Sequence, residues 1–287
     1  MKLCGRSLVV TGASQGLGTA IAEALVAEGA SVALGARSLD KLEALKARLS
    51  PGLAAGQRIT VARLDVSETA DVDAFAAQTL ADFPTLNGLI NNAGVYGPMG
   101  AIEDVDWREW VDAITINLMG TVYPCRAFLP HFRARGYGKI INLSGGGATN
   151  PLPRVSAYAA SKAAVVRFTE TLAEEVRGTG IDVNAIAPGA LATQMMDQLL
   201  AAGPEKVGAG FHARMSKIQQ EGGTPLEKGA SLCVYLASEQ SDGVTAKLLS
   251  AVWDPWAQLQ EHRADLESDI YTLRRIVPKD RGKDWGN

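Results

Sequence analysis

The chain has 287 residues, 47% hydrophobic and 21% charged, with a net charge of −3. That composition suits one generous globular domain whose core needs neither disulfides nor metals. The charge offers no basic field for nucleic acid. Three cysteines (Cys4, Cys125, Cys233) and three histidines (His131, His212, His262) are scattered, with no CxxC, HExxH or Cys/His cluster. Reduced thiols, a cytoplasmic location and no catalytic metal are therefore expected. The start, "MKLCGRSLVVTG", has too short an apolar run for a signal peptide, and no stretch reaches the roughly 18–20 apolar residues of a membrane span.

In chain order, "SLVVTG" (7–12) reads as a buried strand, and 18–30 as a helix with Ile21, Leu25 and Val26 on one face, stopped by Gly29. A second strand (31–37) leads to an amphipathic helix (38–50) with Leu39, Leu42, Leu45 and Leu49 expected inward. A third strand (59–67) and a helix (67–83) follow, then a fourth strand (86–94), a long helix (about 107–134) and a fifth strand (139–144). A second long helix (about 156–178), a strand (181–189), an irregular stretch rich in Gly and Met (190–222), a helix (225–239) and a last strand (246–252) complete the pattern. The remaining residues, 253–287, form a charged, Trp-bearing tail with one helix expected over 255–267. Alternating apolar strands and helices predict an α/β fold: a Rossmann-type, doubly wound parallel sheet in a single domain (1–252) with a C-terminal extension (253–287). In such a fold the ligand site lies at the carboxyl ends of the strands.

Residues 11–18, "TGASQGLG", join the first strand to the first helix. Gly12 permits the tight turn. Gly16 and Gly18 let backbone and helix come close to a pyrophosphate, and the helix N-terminus supplies free N–H groups. The spacing is TGxxxGxG. Together with "LDVS", "NNAG", "YAASK" and "APGALAT" it resembles the short-chain dehydrogenase/reductase (SDR) family over about residues 5–252. The resemblance implies NAD(P)(H) binding and hydride transfer to or from a carbonyl or alcohol. It also implies cofactor contacts from Ser14, Gln15 and Leu17 of the glycine loop. Asp65 and Val66 would flank the adenine, Asn92, Ala93 and Gly94 would border its ribose, and Pro188, Gly189 and Thr193 would lie by the nicotinamide. The second strand ends in Ala36 and Arg37, where NAD-preferring relatives usually carry an acid. Arg37, helped by Ser38, suits a 2′-phosphate through charge-assisted bonds. NADP(H) is therefore favoured over NAD(H), although Gln15 stands where NADP(H)-type relatives often add a second basic residue.

Tyr158 and Lys162 are i and i+4 on a helix, so both face the same way. An ammonium beside a phenol is expected to lower its pKa and let it pass protons at neutral pH. By resemblance, Lys162 also bonds the nicotinamide ribose, and Asn117 holds a water beside the lysine. The serine of this machinery is ambiguous. The spacings usual in the family, counted back from Tyr158 and forward from Asn117, both land on Gly145, and Ser144 lies one place early. A regular strand aims Ser144 away from the substrate, whereas the glycines that follow could form a bulge that re-aims it. Ser144 is carried forward on the second possibility. Without it, Thr149, water or a donor from the tail are the remaining candidates.

Residues 190–222 correspond to the family's variable substrate loop, with Leu191, Met195, Met196, Leu199 and Leu200 able to form an apolar face. Trp253, Trp256 and Tyr271 of the tail are expected over the pocket or on a neighbouring subunit. By family analogy the two long helices form a subunit interface, giving a homodimer or homotetramer. The leading function is an NADP(H)-dependent carbonyl reductase or alcohol dehydrogenase acting on a small molecule. The alternatives are an NAD-linked dehydrogenase and an NADP(H)-binding sensor with weak or no catalysis.

Overall fold

In the computed structural model, which describes residues 1–286, seven parallel strands form one sheet in the order β3-β2-β1-β4-β5-β6-β7. They are β1 (Ser7–Thr11), β2 (Ser31–Ala36), β3 (Ile59–Arg63), β4 (Gly88–Asn91), β5 (Gly138–Leu143), β6 (Ile181–Ala187) and β7 (Leu248–Ser250). Every residue of β1, β2, β4 and β5 is buried, because helices cover both sheet faces and leave no polar-out alternation. The strand order reverses between β1 and β4. This opens a crevice at the carboxyl ends of those strands, and all the sequence motifs converge there.

One face carries α1 (Gly16–Ala27), α2 (Leu39–Leu49) and α10 (Leu226–Ala237). Their buried Ile21, Leu25, Leu42, Leu45 and Leu232 pack with Leu8, Val10 and Leu34 of the sheet. The other face carries α3 (Thr69–Asp82), α5 (Gly120–Arg135) and α6 (Ser156–Glu175), with Phe75, Phe128, Phe132 and Leu172 in its core. The long helix expected over 107–134 is α4 (Trp107–Ile114), a π-helical turn (Thr115–Met119) and α5 in continuous succession. Asp106 caps α4 by accepting from the Glu109 amide at 2.9 Å.

Two buried lysines mark opposite ends of the sheet. Lys139, at the start of β5, is 1% exposed, donates to Asp182 at 2.6 Å and forms an ion pair with Asp242 at 2.7 Å. It is a structural cation, since a buried charge persists only when paired. Lys162, at the carboxyl end, has no carboxylate partner among the described residues, and that difference matters below.

The stretch expected to be irregular, 190–222, instead holds three helices: α7 (Gln194–Ala201), α8 (Gly203–Val207) and α9 (Ala209–Gln220). Gly203 and Gly208 sit at their junctions with φ of +80° and +87°. The chain turns at each of them, so no single apolar repeat runs through the stretch. Met196, Leu199, Val207 and Met215 close into a small core of their own, against Tyr96 and Met99.

Trp256 and Tyr271 of the tail pack along the β7 edge, whereas Trp253 lines a small cavity with Gly189 and Ala190, two residues that also line the strand-end cleft. After Pro255 a 3-10 helix (Trp256–His262) runs into α11 (Arg263–Leu266), in place of one regular helix. Trp256 packs on Tyr235 of α10 with ring centroids 5.6 Å apart, and Leu259, Leu266 and Tyr271 join the sheet core. The Leu248 amide donates to the Tyr271 carbonyl at 2.8 Å, and buried Lys247 donates to the carbonyls of Ser268 and Ile270 at 2.9 and 3.0 Å. Backbone groups of an otherwise open sheet edge are satisfied in this way. Trp253 stays 84% exposed.

Candidate active site

A cleft of about 310 Å³ opens at the carboxyl ends of the strands. It is lined by Gly12, Ser14, Gln15, Gly16, Leu17 and Gly18 after β1, Arg37 and Ser38 after β2, and Asp65 and Val66 after β3. Asn92, Ala93 and Gly94 after β4, Ser144 after β5, Tyr158 and Lys162 of α6, and Pro188, Gly189 and Thr193 after β6 complete the wall. Residues far apart in sequence meet here because parallel strands point all their carboxyl ends the same way. Asn117 lies just behind this wall.

The glycine loop is shaped by close approach. Gly12 has φ of +65°, and a Cβ there would lie 2.8 Å from the Ala93 Cα. A Cβ on Gly18 would lie 2.2 Å from the Gly12 carbonyl oxygen and 2.6 Å from Asn92 Nδ2. The side chain of Asn92 holds the loop from the β4 side, donating to the carbonyls of Thr11 and Gly12 at 3.0 and 3.1 Å. Buried Thr11 returns the link, its Oγ1 accepting from the amides of Asn92 and Ala93 at 3.1 and 3.2 Å. The helix α1 thus starts against a bare backbone cradle, which fits the pyrophosphate of a dinucleotide.

At the β2 and β3 ends, Arg37 is exposed and Asp65 accepts from the amide and hydroxyl of Ser67 at 3.1 and 2.6 Å. Burial pushes the Asp65 carboxyl up. The Ser67 bonds and the charges of Arg37 and Arg63 outweigh that and hold it below its ordinary value. The methyl of Thr193, at the start of α7, lies beside Gly16, 3.4 Å from where a Cβ would stand, so the lid begins against the glycine loop.

The proton machinery differs from expectation in two ways. First, Ser144 is not re-aimed by a bulge. Strand pairing continues through it, with its amide donating to the Ile186 carbonyl at 2.8 Å, and its hydroxyl donates to the Lys162 carbonyl at 3.1 Å. A regular strand end explains this: Gly145 that follows is fully extended, with φ of −179°. Tyr158 has taken up the space beside Gly145. A Cβ at position 145 would lie 2.3 Å from the Tyr158 hydroxyl oxygen.

Second, the Tyr158 pKa is raised. Burial disfavours the phenolate, and the neighbouring Tyr96 adds to the shift. Lys162 Nζ sits 5.8 Å from the Tyr158 ring centroid and donates to the Leu143 carbonyl at 2.7 Å. Burial without a carboxylate pushes the ammonium down to about 8. Lys139 stands within reach of two carboxylates, whereas Lys162 is held close to neutral titration.

Asn117 lies in the π-helical turn, fully buried. Its Oδ1 accepts from the Val95 amide, and its Nδ2 donates to the Val95 carbonyl, both at 2.8 Å. Nδ2 also donates to Ser161 Oγ at 3.0 Å. The carboxamide is fully engaged in clamping the segment after β4, and a Cβ on Gly94 would stand 3.1 Å from its Oδ1 and 3.4 Å from Lys162 Nζ. Sequence reasoning passed over Tyr96, whose ring packs on that of Tyr158 with centroids 4.7 Å apart. It also passed over Ser161, buried between Asn117 and the Tyr158 carbonyl. Tyr96 follows the "NNAG" motif in a loop, where no periodicity signals a role. Among the described residues, no cluster of three or more His, Cys, Asp or Glu could hold a metal, and no helix is long and apolar enough to cross a membrane.

Comparison with known proteins accords with this geometry. The family described as short chain dehydrogenase matches residues 6–203. The chain is 32% identical over 245 residues to 2-dehydro-3-deoxy-L-rhamnonate dehydrogenase (NAD(+)) of a Sphingomonas strain, covering 85% of this chain and 93% of that protein. It is 36% identical over 241 residues to L-fucose dehydrogenase of Oryctolagus cuniculus, covering 84% and 81%. The solved structure of an actinorhodin polyketide ketoreductase variant with NADPH superposes with a TM-score of 0.77 at 27% identity, covering 85% of this chain and 95% of that one. With the seven-stranded Rossmann-type sheet and the motif-lined cleft, the match over residues 6–203 places this chain in the short-chain dehydrogenase/reductase family of NAD(P)-dependent oxidoreductases.

Proposed function

We propose that this protein transfers hydride between NADP(H) and a carbonyl or secondary alcohol, with Tyr158 as general acid and base. The observation that carries the reading is that Tyr158 and Lys162 share one cleft with the glycine loop, Arg37 and the β6 end. The bound nicotinamide supplies or accepts the hydride. The glycine loop, braced by Asn92, would hold the pyrophosphate, Asp65 and Val66 would flank the adenine, Asn92, Ala93 and Gly94 would border its ribose, and Pro188, Gly189 and Thr193 would position the nicotinamide end. In reduction, Tyr158 gives its hydroxyl proton to the carbonyl oxygen; in oxidation, it takes the alcohol proton. The raised pKa keeps the phenol protonated at neutral pH, which favours its use as an acid. Asn117 serves by fixing Val95 and the segment that walls the site. Ser144 acts through position, its hydroxyl tying β5 to α6 at Lys162.

Arg37 supports the choice of NADP(H). It is exposed at the cleft mouth, and no ion pair engages it among the described residues. Arg37→Ala is expected to weaken NADPH by about 10–10²-fold, the worth of a charge-assisted contact, while NADH changes little. Steady-state KM values for both cofactors check this, and equal losses for the two would leave an NAD-linked dehydrogenase as the better reading. Lys162 contributes its ammonium to the cofactor ribose. Since it loses its proton near pH 8, kcat/KM for NADPH, which reports the free enzyme, is expected to fall as pH rises through about 8. A level profile to pH 10 would remove Lys162 from that role.

The exposed apolar surface supports assembly. Trp107 is 66% exposed and stacks on Trp110 at 5.1 Å, and Val111 and Ile102 are exposed beside them in sequence. An apolar surface of this kind on α4 supports association through α4, α5 and α6 as a homodimer or homotetramer. Sedimentation as a monomer would contradict it.

A further inference from the structure

The proton transfer just proposed leaves the substrate oxygen short of a hydrogen bond. A developing alkoxide is stabilised by donors already aimed at it, and one such donor is typically worth about 10²–10³ in rate. Tyr158 is one. Position 145 has no side chain, and the proton of Ser144 goes to the Lys162 carbonyl. Thr149 does not line the cleft, and no tail residue does among those described. The neighbour of Tyr158 that does carry a suitable group is Tyr96.

Four features fix Tyr96 in place. Its ring packs on Tyr158 at 4.7 Å between centroids, inclined by 53°. The residue before it, Val95, is held through both amide and carbonyl by the Asn117 side chain. The residue after it, Gly97, has φ of +72°, and a Cβ there would stand 2.4 Å from the Ala113 Cβ, so the chain turns sharply against α4. Tyr96 also packs against the lid core of Met196, Leu199, Val207 and Met215. Tyr96 lines the same cleft as Tyr158 and Lys162. It is a preorganised phenol beside the reacting one.

We propose that Tyr96 donates the second hydrogen bond to the substrate's reacting oxygen, filling the role that Gly145 leaves without a side chain. This rests on the hydride-transfer reading above. In reduction the carbonyl carbon gains the hydride and the π-electron pair moves to oxygen. That oxygen takes the proton of the Tyr158 hydroxyl, and Tyr96 donates a hydrogen bond throughout while keeping its own proton. Burial raises the Tyr96 pKa, so its hydroxyl keeps its proton and can donate at neutral pH, where reduction draws on the Tyr158 phenol. The arrangement also explains why Gly145 is tolerated: with Tyr96 on one side of the Tyr158 ring, the hydroxyl rests over the bare backbone of Gly145, where a serine side chain would collide with it.

The test is Tyr96→Phe, which keeps the ring and removes only the hydroxyl. With NADPH and the best ketone or aldehyde from a panel, kcat is expected to fall by about 10²-fold, and NADPH affinity and the melting temperature are expected to stay at wild-type values. Tyr158→Phe is measured alongside. Turnover by Tyr96→Phe within about 3-fold of wild type, with Tyr158→Phe inactive, would overturn the assignment of Tyr96 alone. Undiminished turnover by Tyr158→Phe would instead overturn the reading on which it rests. Loss of NADPH binding in Tyr96→Phe would overturn the assignment too, by showing a structural role.

Discussion

Tyr158→Phe is expected to lower kcat by about 10²–10⁴-fold in both directions, the worth of a positioned general acid or base, with NADPH affinity unchanged. Phenylalanine keeps the ring against Tyr96 and the face toward Lys162, so the loss isolates the hydroxyl. The pH dependence sharpens the expectation. The Tyr158 pKa lies above the ordinary value for a phenol, because burial and Tyr96 disfavour the anion. Reduction uses the phenol, which is the form present at neutral pH. Oxidation uses the phenolate, so its kcat is expected to climb as pH rises through the alkaline range, and the climb is expected to vanish in Tyr158→Phe. Steady-state rates in both directions across pH check the two statements together. An oxidation rate already level at pH 7 would mean that the phenol ionises far more readily than its surroundings dictate.

Gly145→Ala is expected to be the most damaging small change in the site. It adds one methyl group, 2.3 Å from the Tyr158 hydroxyl oxygen and 3.2 Å from its Cζ. Contacts that short cannot persist, so the ring has to move. Tyr96 packs on that ring, which limits the directions open to it. A reacting group misplaced by about 1 Å typically costs on the order of 10²-fold in rate, and a loss of that size in kcat is the expected result. NADPH affinity is expected to change by no more than a few-fold, because Gly145 does not line the cleft. The outcome separates two accounts of the missing serine. If position 145 were merely an empty slot, alanine would be harmless. If Tyr158 occupies that slot, alanine is harmful, and serine there would not restore a rate.

How far the sequence could be read depends on how local each signal is. The glycine loop was legible because its chemistry is that of adjacent residues: a strand end, a tight turn and a helix start. Tyr158 and Lys162 were legible as a pair because helical spacing puts i and i+4 on one face. The same spacing misled on the Tyr158 pKa. It places the lysine nearby but carries no information on burial, which raises the phenol and draws down the ammonium together. Ser144 shows the same limit: its position one place early was visible, but whether the glycines would bulge depends on the pairing with β6, a contact across more than forty residues of chain. The lid helices α7, α8 and α9 were hidden because Gly203 and Gly208 break the apolar repeat at their junctions. The tail was expected over the pocket or a neighbour because its aromatic residues call for apolar cover. The nearest available cover is the β7 edge and α10 of its own subunit, which only the folded arrangement discloses. Tyr96 left no trace in the sequence, since its significance is a packing contact with a residue sixty-two positions away, 158 − 96.

The central claim is that this cleft performs hydride transfer and does not merely hold a nucleotide. Mixing the protein with NADPH and each member of a panel of ketones and aldehydes, while following the nicotinamide absorbance, tests it most directly. The account predicts carbonyl-dependent loss of NADPH, matched mole for mole by alcohol, at turnover on the order of 1 s⁻¹ or faster for the best substrate. NADPH that binds tightly yet is consumed with no member of the panel would contradict it and point to a binding or sensing protein.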